Sequence, residues 1–314
     1  IGKSLVMQQT KSKARQFAQV DSTVLIQGET GTGKELFTQS IHNAGERANK
    51  PFVAVNCAAL PENLLESELF GYVEGAFTGA RKKGKQGLFE LAHNGTIFLD
   101  EISEMSHKLQ ARFLRVLQEK EVIRIGDDKV IPVDIRVIAA TNRDLLKMVR
   151  EDTFREDLYY RLCVLHLIIP PLRERGKDVI ELAEYFVKQK GRELFKKDTE
   201  ITEDALDGLM AYSWPGNVRQ LENVIERAVV LCEGDRIDLH IFKEALGVSI
   251  GHKRNIGLNG EITHNSNQDV LKQLEDRMIL KVLDDVDGNR TLAAKRLGIS
   301  VTTLWRRMKR LEGE

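Results

Sequence analysis

The segment Gly28-Glu-Thr-Gly-Thr-Gly-Lys34-Glu35 constrains this chain more than any other feature. It follows the apolar run Thr23-Val-Leu-Ile-Gln27 directly and precedes a helical pattern that begins at Leu36. A buried strand running into a GxxxxGK loop and then a helix is a P-loop. Its glycines let backbone N–H groups approach phosphate oxygens, and the N-terminus of the next helix adds favourable partial charge. Gly28, Glu29, Thr30, Gly31, Thr32, Gly33, Lys34 and Glu35 form the expected cradle for ATP, with Lys34 as a point charge at the β- and γ-phosphates. Glu35 stands where most P-loops carry the Ser or Thr that holds Mg²⁺. A carboxylate there serves the ion either directly or through water, and the sequence leaves both routes open.

The rest of residues 1–170 agrees with a P-loop fold. Phe52-Val-Ala-Val-Asn56, Thr96-Ile-Phe-Leu-Asp100 and Ile135-Arg-Val-Ile-Ala-Ala140 read as further buried strands. Between them lie amphipathic patterns, one running from Ser103 as N-cap to Lys120 with Leu109, Phe113, Val116 and Leu117 on a single stripe. Strands alternating with helices predict an α/β unit, a mostly parallel sheet with helices on both faces. Pro170-Pro171 ends the alternation. From about Lys177 to Leu246 the spacing is helical (Val179, Leu182, Ala183, Phe186; Ala205, Leu209; Leu221, Val224, Ile225, Ala228), which predicts a small all-helical domain over 171–246. A Gly- and Asn-rich stretch over 247–268 reads as a flexible linker, and 269–314 as a last all-helical module. No 20–50 residue repeat appears.

A second chemical motif completes the first. Gly95-Thr-Ile-Phe-Leu-Asp100-Glu101 is an apolar strand ending in two carboxylates, the Walker B arrangement. Asp100 is expected to orient Mg²⁺ and its waters. Glu101 is expected to polarise the attacking water as general base. Alone such a pair is equally a solvated strand end; its separation from a P-loop gives it meaning.

Composition excludes other classes. Three cysteines, Cys57, Cys163 and Cys232, lie far apart with no CxxC pair, which argues against a disulfide framework or zinc site and for a reducing cytoplasm. Seven histidines show neither HExxH nor HxxxH spacing, so they read as core or surface residues. No apolar run approaches the roughly 18–20 residues of a membrane helix, and the start lacks the pattern of a signal peptide. The chain opens on Ile1 rather than Met, which suggests a piece of a longer protein with a further domain ahead of Ile1. Its 47 basic and 47 acidic residues cancel, yet Arg290, Lys295, Arg296, Arg306, Arg307, Lys309 and Arg310 crowd the stretch from Asn289 to Leu311, which holds no acidic residue. That asymmetry predicts one nucleic-acid-binding module.

The most specific segment is Phe70-Gly-Tyr-Val-Glu-Gly75-Ala76-Phe77-Thr78-Gly79-Ala80. A Gly-rich loop carrying an aromatic is a poor core piece and a plausible contact finger. Gly75 to Ala80 spells GAFTGA, and here the chain resembles the NtrC-like AAA+ activators, the bacterial enhancer-binding proteins that act on RNA polymerase carrying sigma-54. The resemblance covers nearly the whole chain from Ile1. It implies that Gly75, Ala76, Phe77, Thr78, Gly79 and Ala80 contact sigma-54, and it makes Glu35 after Lys34 the family's own form of the P-loop. Asn56 resembles the switch Asn that holds Glu101 until nucleotide is sensed. Ala140-Thr-Asn142-Arg143 resembles sensor I, with Asn142 reading the γ-phosphate. Phe154-Arg155-Glu-Asp-Leu-Tyr-Tyr-Arg161-Leu162 resembles the arginine-finger helix, whose Arg155 and Arg161 reach a neighbouring subunit's ATP. Trp214-Pro-Gly-Asn217-Val-Arg219-Gln-Leu-Glu-Asn223 resembles sensor II, with Arg219 on the γ-phosphate. Independently, a transition state with charge spread over equatorial oxygens makes an inserted arginine worth about 10³–10⁵ in rate. Val122-Ile-Arg-Ile-Gly126-Asp-Asp-Lys-Val-Ile131 reads as a hairpin, and the resemblance implies that it moves with the GAFTGA loop.

At the basic end, Thr291 to Leu297, a Gly298-Ile-Ser300 turn and Val301 to Leu311 spell a helix-turn-helix with Ser300 as N-cap. Thr302, Thr303, Arg306 and Arg307 are placed to face the major groove, and Lys309 and Arg310 the phosphates. The module resembles the Fis-type DNA-binding domain of the same activators. The helix before it, about Asp269 to Leu283, is expected to pair subunits. Partners implied are double-stranded enhancer DNA, sigma-54 RNA polymerase, and further copies of the chain, as a C-terminal dimer and a hexameric or heptameric ring. Two rivals remain at this point. GAFTGA speaks against a DNA motor or protein unfoldase. The intact set Lys34, Asp100, Glu101, Arg155 and Arg161 speaks against a repressor with a vestigial ATPase.

Overall fold

The computed structural model describes residues 1–76, 83–194, 196 and 199–247. Helix α1 (Leu5–Ala18) leads into strand β1 (Val24–Gln27), the P-loop and helix α2 (Lys34–Asn43). Then come β2 (Phe52–Asn56), α3 (Glu62–Phe70) and a two-residue antiparallel pair, β3 (Gly71–Tyr72) with β4 (Lys85–Gln86), which brackets the GAFTGA segment. Helix α4 (Leu88–Leu91), strand β5 (Thr96–Asp100) and helix α5 (His107–Glu119) follow. The expected hairpin forms from β6 (Glu121–Ile123) and β7 (Val130–Pro132). Strand β8 (Arg136–Thr141), α6 (Leu145–Arg150), α7 (Glu156–Leu162) and β9 (Leu165–Ile168) complete the α/β part.

The sheet runs β2-β5-β8-β1-β9, parallel throughout. Alternate residues of its strands feed two cores. Leu25, Ile97, Leu99, Val137 and Ala139 pack with α3 and α5 on one face. Val24, Ile26, Phe98, Ile138 and Ala140 pack on the other with α1 and α2. Burial on both faces is why these strands read as near-continuous apolar runs. Both edge strands depart from the buried pattern: β2, read from the sequence as a buried strand, has none of its five residues buried, and β9, which the sequence pattern did not yield, buries only Leu167 of Leu-His-Leu-Ile while Ile168 is 61% exposed.

One boundary departs from expectation. Ser103 does not cap α5; Ser106 does, its hydroxyl accepting from the Leu109 N–H. Ser103 is buried in a 3₁₀ turn over Ile102–Glu104, and its hydroxyl is 3.1 Å from that of Thr141. The strand must leave the sheet at Asp100 and turn sharply, so three further residues pass before a helix can start. The buried stripe Leu109, Phe113 and Val116 is as the spacing predicts.

After β9 the chain passes through Pro170-Pro171 into a helical lid. It comprises α8 (Asp178–Glu193), the short parallel strands β10 (Glu200–Ile201) and β11 (Arg236–Ile237), α9 (Glu203–Ala211), α10 (Asn217–Leu231) and α11 (Leu239–Ala245). The lid has its own core, in which Val179, Phe186, Leu209, Leu221 and Ile225 surround Trp214. The linker and helix-turn-helix expected over 247–314 lie outside the described residues, apart from Gly247. Among the described residues no helix is long and apolar enough to cross a membrane.

Candidate functional site

Strand order decides where chemistry gathers. The carboxyl ends of β1, β5 and β8 are adjacent, so the P-loop, Asp100-Glu101 and Thr141-Asn142 converge at a single sheet edge. The Gly28 N–H donates to the Thr141 carbonyl at 3.2 Å and pins the loop to β8. Inside the loop, the Thr32 hydroxyl donates to the Glu29 carbonyl at 2.7 Å. Gly31, at φ +78°, is irreplaceable on two counts: its backbone is left-handed, and a Cβ there would collide with the Gly216 carbonyl of the lid. Gly33, at φ +100°, turns the chain into α2, leaving the helix's first N–H groups aimed into the cradle.

Lys34 is the first residue of α2 and is 8% exposed. Its Nζ donates to the Gly28 carbonyl at 3.0 Å and lies 3.4 Å from Glu101 Oε1. The other Glu101 oxygen accepts from the Asn142 N–H at 3.2 Å. The Asn142 side chain donates to the Thr30 hydroxyl at 3.1 Å. The three expected components, Lys34, Glu101 and Asn142, thus form one bonded set. Glu101 holds a left-handed backbone, φ 50° and ψ 52°, a conformation that costs a non-glycine residue roughly 1–2 kcal/mol. Asp100 accepts from the Glu101 N–H at 3.1 Å. Burial, and then the neighbouring Glu101 charge, push its carboxyl above the ordinary range. Cys57 lies against the same strand end, its N–H donating to the Asp100 carbonyl at 2.9 Å, and burial pushes its thiol up to about 12. It is an inert, neutral wall residue rather than a nucleophile.

Other expected residues stand elsewhere. Asn56 faces Asp100 in register across β2 and β5, but its side chain closes a local turn by accepting from the Ala58 N–H at 2.8 Å. Glu101 is bonded to Lys34 and Asn142 instead. Glu35 is exposed on the first turn of α2 and accepts from Gln39. Arg155, just before α7, makes a two-pronged pair with Asp157 at 2.7 and 3.0 Å. Arg161 donates to the Leu117 carbonyl at 3.3 Å. Their side-chain bonds are to these partners and not to the P-loop. Arg219 meets the P-loop through its backbone, its N–H 3.4 Å from the Gly31 carbonyl, while its side chain is exposed. Of the GAFTGA segment Gly75 and Ala76 are described. Phe77, Thr78, Gly79 and Ala80 lie outside the described residues, as do Thr302, Thr303, Arg306, Arg307, Lys309 and Arg310.

Sequence reasoning missed the residues that join lid to loop. Asn217, fully buried at φ 53°, accepts from the Leu172 N–H at 2.7 Å and donates to Glu29 Oε2 and the Thr30 carbonyl, both at 3.1 Å. The Val218 N–H donates to the Gly31 carbonyl at 3.0 Å, so the phosphate loop satisfies an orphan donor of α10. Arg175, 4% exposed, donates to the Thr32 and Pro170 carbonyls. Arg173 forks onto Glu29 at 2.6 and 2.9 Å. That fork, with Asn217, holds the Glu29 carboxyl down at about 2. The only sequence signal was Asn217 within the sensor II motif. Between α2 and the lid opens a cleft of about 470 Å³ walled by Phe37, Leu182, Phe186 and Val218 beside Thr32 and Gly33.

Comparison with known proteins agrees with this arrangement. A profile described as the sigma-54 interaction domain matches residues 1–168, the AAA+ ATPase lid domain matches 173–255, and the bacterial regulatory protein Fis family matches 270–311. The regulatory protein AtoC of Escherichia coli (strain K12) is 51% identical over 284 residues, covering 89% of this chain and 60% of AtoC. The nitrogen fixation protein AnfA of Azotobacter vinelandii is 47% identical over 310 residues, covering 99% of this chain and 57% of AnfA. The chain therefore spans less than two thirds of the length of these relatives. The crystal structure of NtrX from Brucella abortus in complex with ATP is 32% identical, with a TM-score of 0.73 over 99% of this chain and 68% of NtrX. Phosphate loop, carboxylate pair, docked helical lid and these matches carry one conclusion: the chain belongs to the sigma-54 interaction family of AAA+ ATPases, the sigma-54-dependent activators with a Fis-type helix-turn-helix.

Proposed function

We propose that the chain activates transcription by binding enhancer DNA through its C-terminal module, assembling into a ring, and using ATP hydrolysis to remodel the closed complex of sigma-54 RNA polymerase. The observation that carries the coupling is the base of the GAFTGA loop. The Val73 N–H donates to the Ile125 carbonyl at 3.1 Å, and the Ile125 N–H to the Gly71 carbonyl at 2.9 Å. A Cβ on Gly126 would come within 2.9 Å of that of Ala76. Loop base and hairpin are thus one backbone-bonded unit. Arg112 of α5, the first helix after Glu101, donates to the Ile123 carbonyl at 2.9 Å and to Glu66 of α3 at 2.6 Å. A shift of the Walker B segment has a continuous bonded route to the loop.

For the chemistry, the apolar cleft suits the face of a purine and the α2 N-terminus the phosphates. Lys34 leaves the Gly28 carbonyl for the β- and γ-oxygens, which frees Glu101 to take a proton from the attacking water. Asn142, already between Glu101 and Thr30, is positioned to read the γ-phosphate. Asp100 and Glu35 would supply hard carboxylate oxygens for Mg²⁺, and a cation would relieve the Asp100 carboxyl, which burial first and then the Glu101 charge raise. Mg²⁺, when bound, supplies charge neutralisation at the transferring phosphoryl group. Arg155 and Arg161 act on a neighbouring copy's ATP, and Arg219 on the γ-phosphate of its own.

Thr78→Ala and Phe77→Ala test the reading. Each is expected to keep ATPase and DNA binding and to abolish sigma-54-dependent open-complex formation, and binding to sigma-54 in the presence of ADP and aluminium fluoride. Normal promoter opening by both variants would remove the loop from the mechanism.

A further inference from the structure

Most P-loop residues present backbone to the ligand, yet Glu29 places a carboxylate inside the loop, next to the Gly28 carbonyl that holds Lys34. Left uncancelled, that charge would oppose an incoming polyphosphate across the loop. The one cation within ion-pair distance of it, among the described residues, is Arg173, which follows the Pro170-Pro171 corner and belongs to the lid side of the hinge. The pair is two-pronged, and both side chains remain about two-fifths exposed, 43% for Arg173 and 42% for Glu29. As a tie between lid and core so exposed a pair is weak. As a local charge it is not, because Glu29 belongs to the phosphate loop itself, one residue from the Gly28 carbonyl that holds Lys34. The mechanical tie is carried by other groups: Asn217, the Val218 N–H and buried Arg175.

We propose that Arg173 is a positioning residue for ATP that acts through Glu29, cancelling that carboxylate and drawing it to the hinge so that one negative charge fewer opposes the incoming phosphates. Because Arg173 reaches Glu29 from the lid side, the cancellation holds only while the lid is docked. ATP affinity is thereby made conditional on lid closure by charge as well as by contact. The pair is ionised throughout the working pH range, since Glu29 titrates far below neutrality. The proposal rests on ATP occupying the P-loop.

The test is a titration of the full chain with a fluorescent ATP analogue, with Lys34→Ala as control for the site itself. Charge cancellation predicts a signed series. Arg173→Ala weakens binding on the order of tenfold, the scale of one unit charge at roughly 10 Å through an effective dielectric of about 20. Glu29→Gln keeps an acceptor for Asn217 and leaves Arg173 uncompensated, so it tightens binding several-fold. The double variant lies between the two, Arg173→Lys recovers most of the loss, and raised NaCl narrows all the differences. In turnover, Arg173→Ala raises KM with kcat nearly unchanged at saturating ATP. A purely structural tie predicts that Glu29→Gln, Arg173→Ala and the double variant all weaken binding, and that result overturns the proposal. So does an Arg173→Ala chain that lowers kcat at constant KM. If Lys34→Ala also binds like the native chain, the site reading fails and the latch falls with it, an outcome the control separates from failure of the latch alone.

Discussion

Replacing Asn217 with alanine should disconnect lid from phosphate loop more than any other single change. Three losses add. The Leu172 N–H, now held at 2.7 Å in a fully buried setting, is left without its acceptor, at about 1–3 kcal/mol. The bonds to Glu29 and the Thr30 carbonyl vanish, contributing roughly another 1 kcal/mol because water and Arg173 take up part of the loss. Alanine must also hold φ 53°, which asparagine tolerates and alanine does at about 1–2 kcal/mol. The total, about 3–6 kcal/mol, corresponds to a Tm fall on the order of 10 °C for an α/β-plus-lid unit of this size. Differential scanning fluorimetry of the full chain is the assay. Asn217→Gly separates strain from hydrogen bonding: it loses the same bonds but accepts the backbone, and should be less damaging than alanine by about 1 kcal/mol. An alanine variant melting within 2 °C of the native chain, or a glycine variant worse than alanine, would refute the reasoning.

Other predictions bear on chemistry and partners. Glu101→Gln removes charge but not shape from the base, so it should bind ATP and lose turnover; hydrolysis at the native rate would dismiss Glu101 as base. Arg155→Ala and Arg161→Ala should each abolish turnover while still binding nucleotide, and mixing either with Lys34→Ala should restore activity through composite sites; no rescue at any ratio, with rings present by sedimentation, counts against action in trans. Paired replacement of Arg306 and Arg307 by alanine should weaken specific DNA binding by about 1–3 kcal/mol per base-reading side chain and spare basal ATPase; unchanged affinity across a salt series would take both out of the groove.

Much of the fold was legible because it is written in local pattern. Strands β1, β5 and β8 announce themselves by burial on both faces. The stripes of α5, α8 and α10 are those the spacing demands. Where pattern is weak the reading failed: β9, whose apolar run His166 interrupts, does not read as a strand, β2 reads as buried and is not, and two serines compete to cap α5. At the site, the strand–loop–helix around Lys34 and the strand ending in Asp100 were legible because each is contiguous in sequence. The lid latch was not, because Asn217 meets Glu29 across 188 residues and Arg173 meets it across 144. No spacing rule spans such distances. Arg173 in isolation is an ordinary exposed arginine, and only the tertiary fold reveals what it faces.

Backbone strain suggests how lid and loop communicate. Glu101, Trp214 and Asn217 all hold positive φ, at roughly 1–2 kcal/mol each for Glu101 and Trp214 and less for Asn217, a residue type that tolerates it. Such strain persists only where surroundings over-determine it. The Trp214 indole is 1% exposed in the lid core and donates to the Leu209 carbonyl at 2.9 Å. Asn217 is fixed three ways at the lid's inner surface. The lid therefore pays for its own two strained residues with its own packing, and is stiff where it meets the loop. Glu101 is different: its turn is closed by the Glu104 N–H to its own carbonyl, and its carboxylate is held by Lys34 and Asn142, both groups that the phosphates would draw away. On the proposed mechanism the stiff lid would answer nucleotide as a rigid body about the Pro170-Pro171 corner, and the strained turn at the end of β5 would be the element that bound phosphates release.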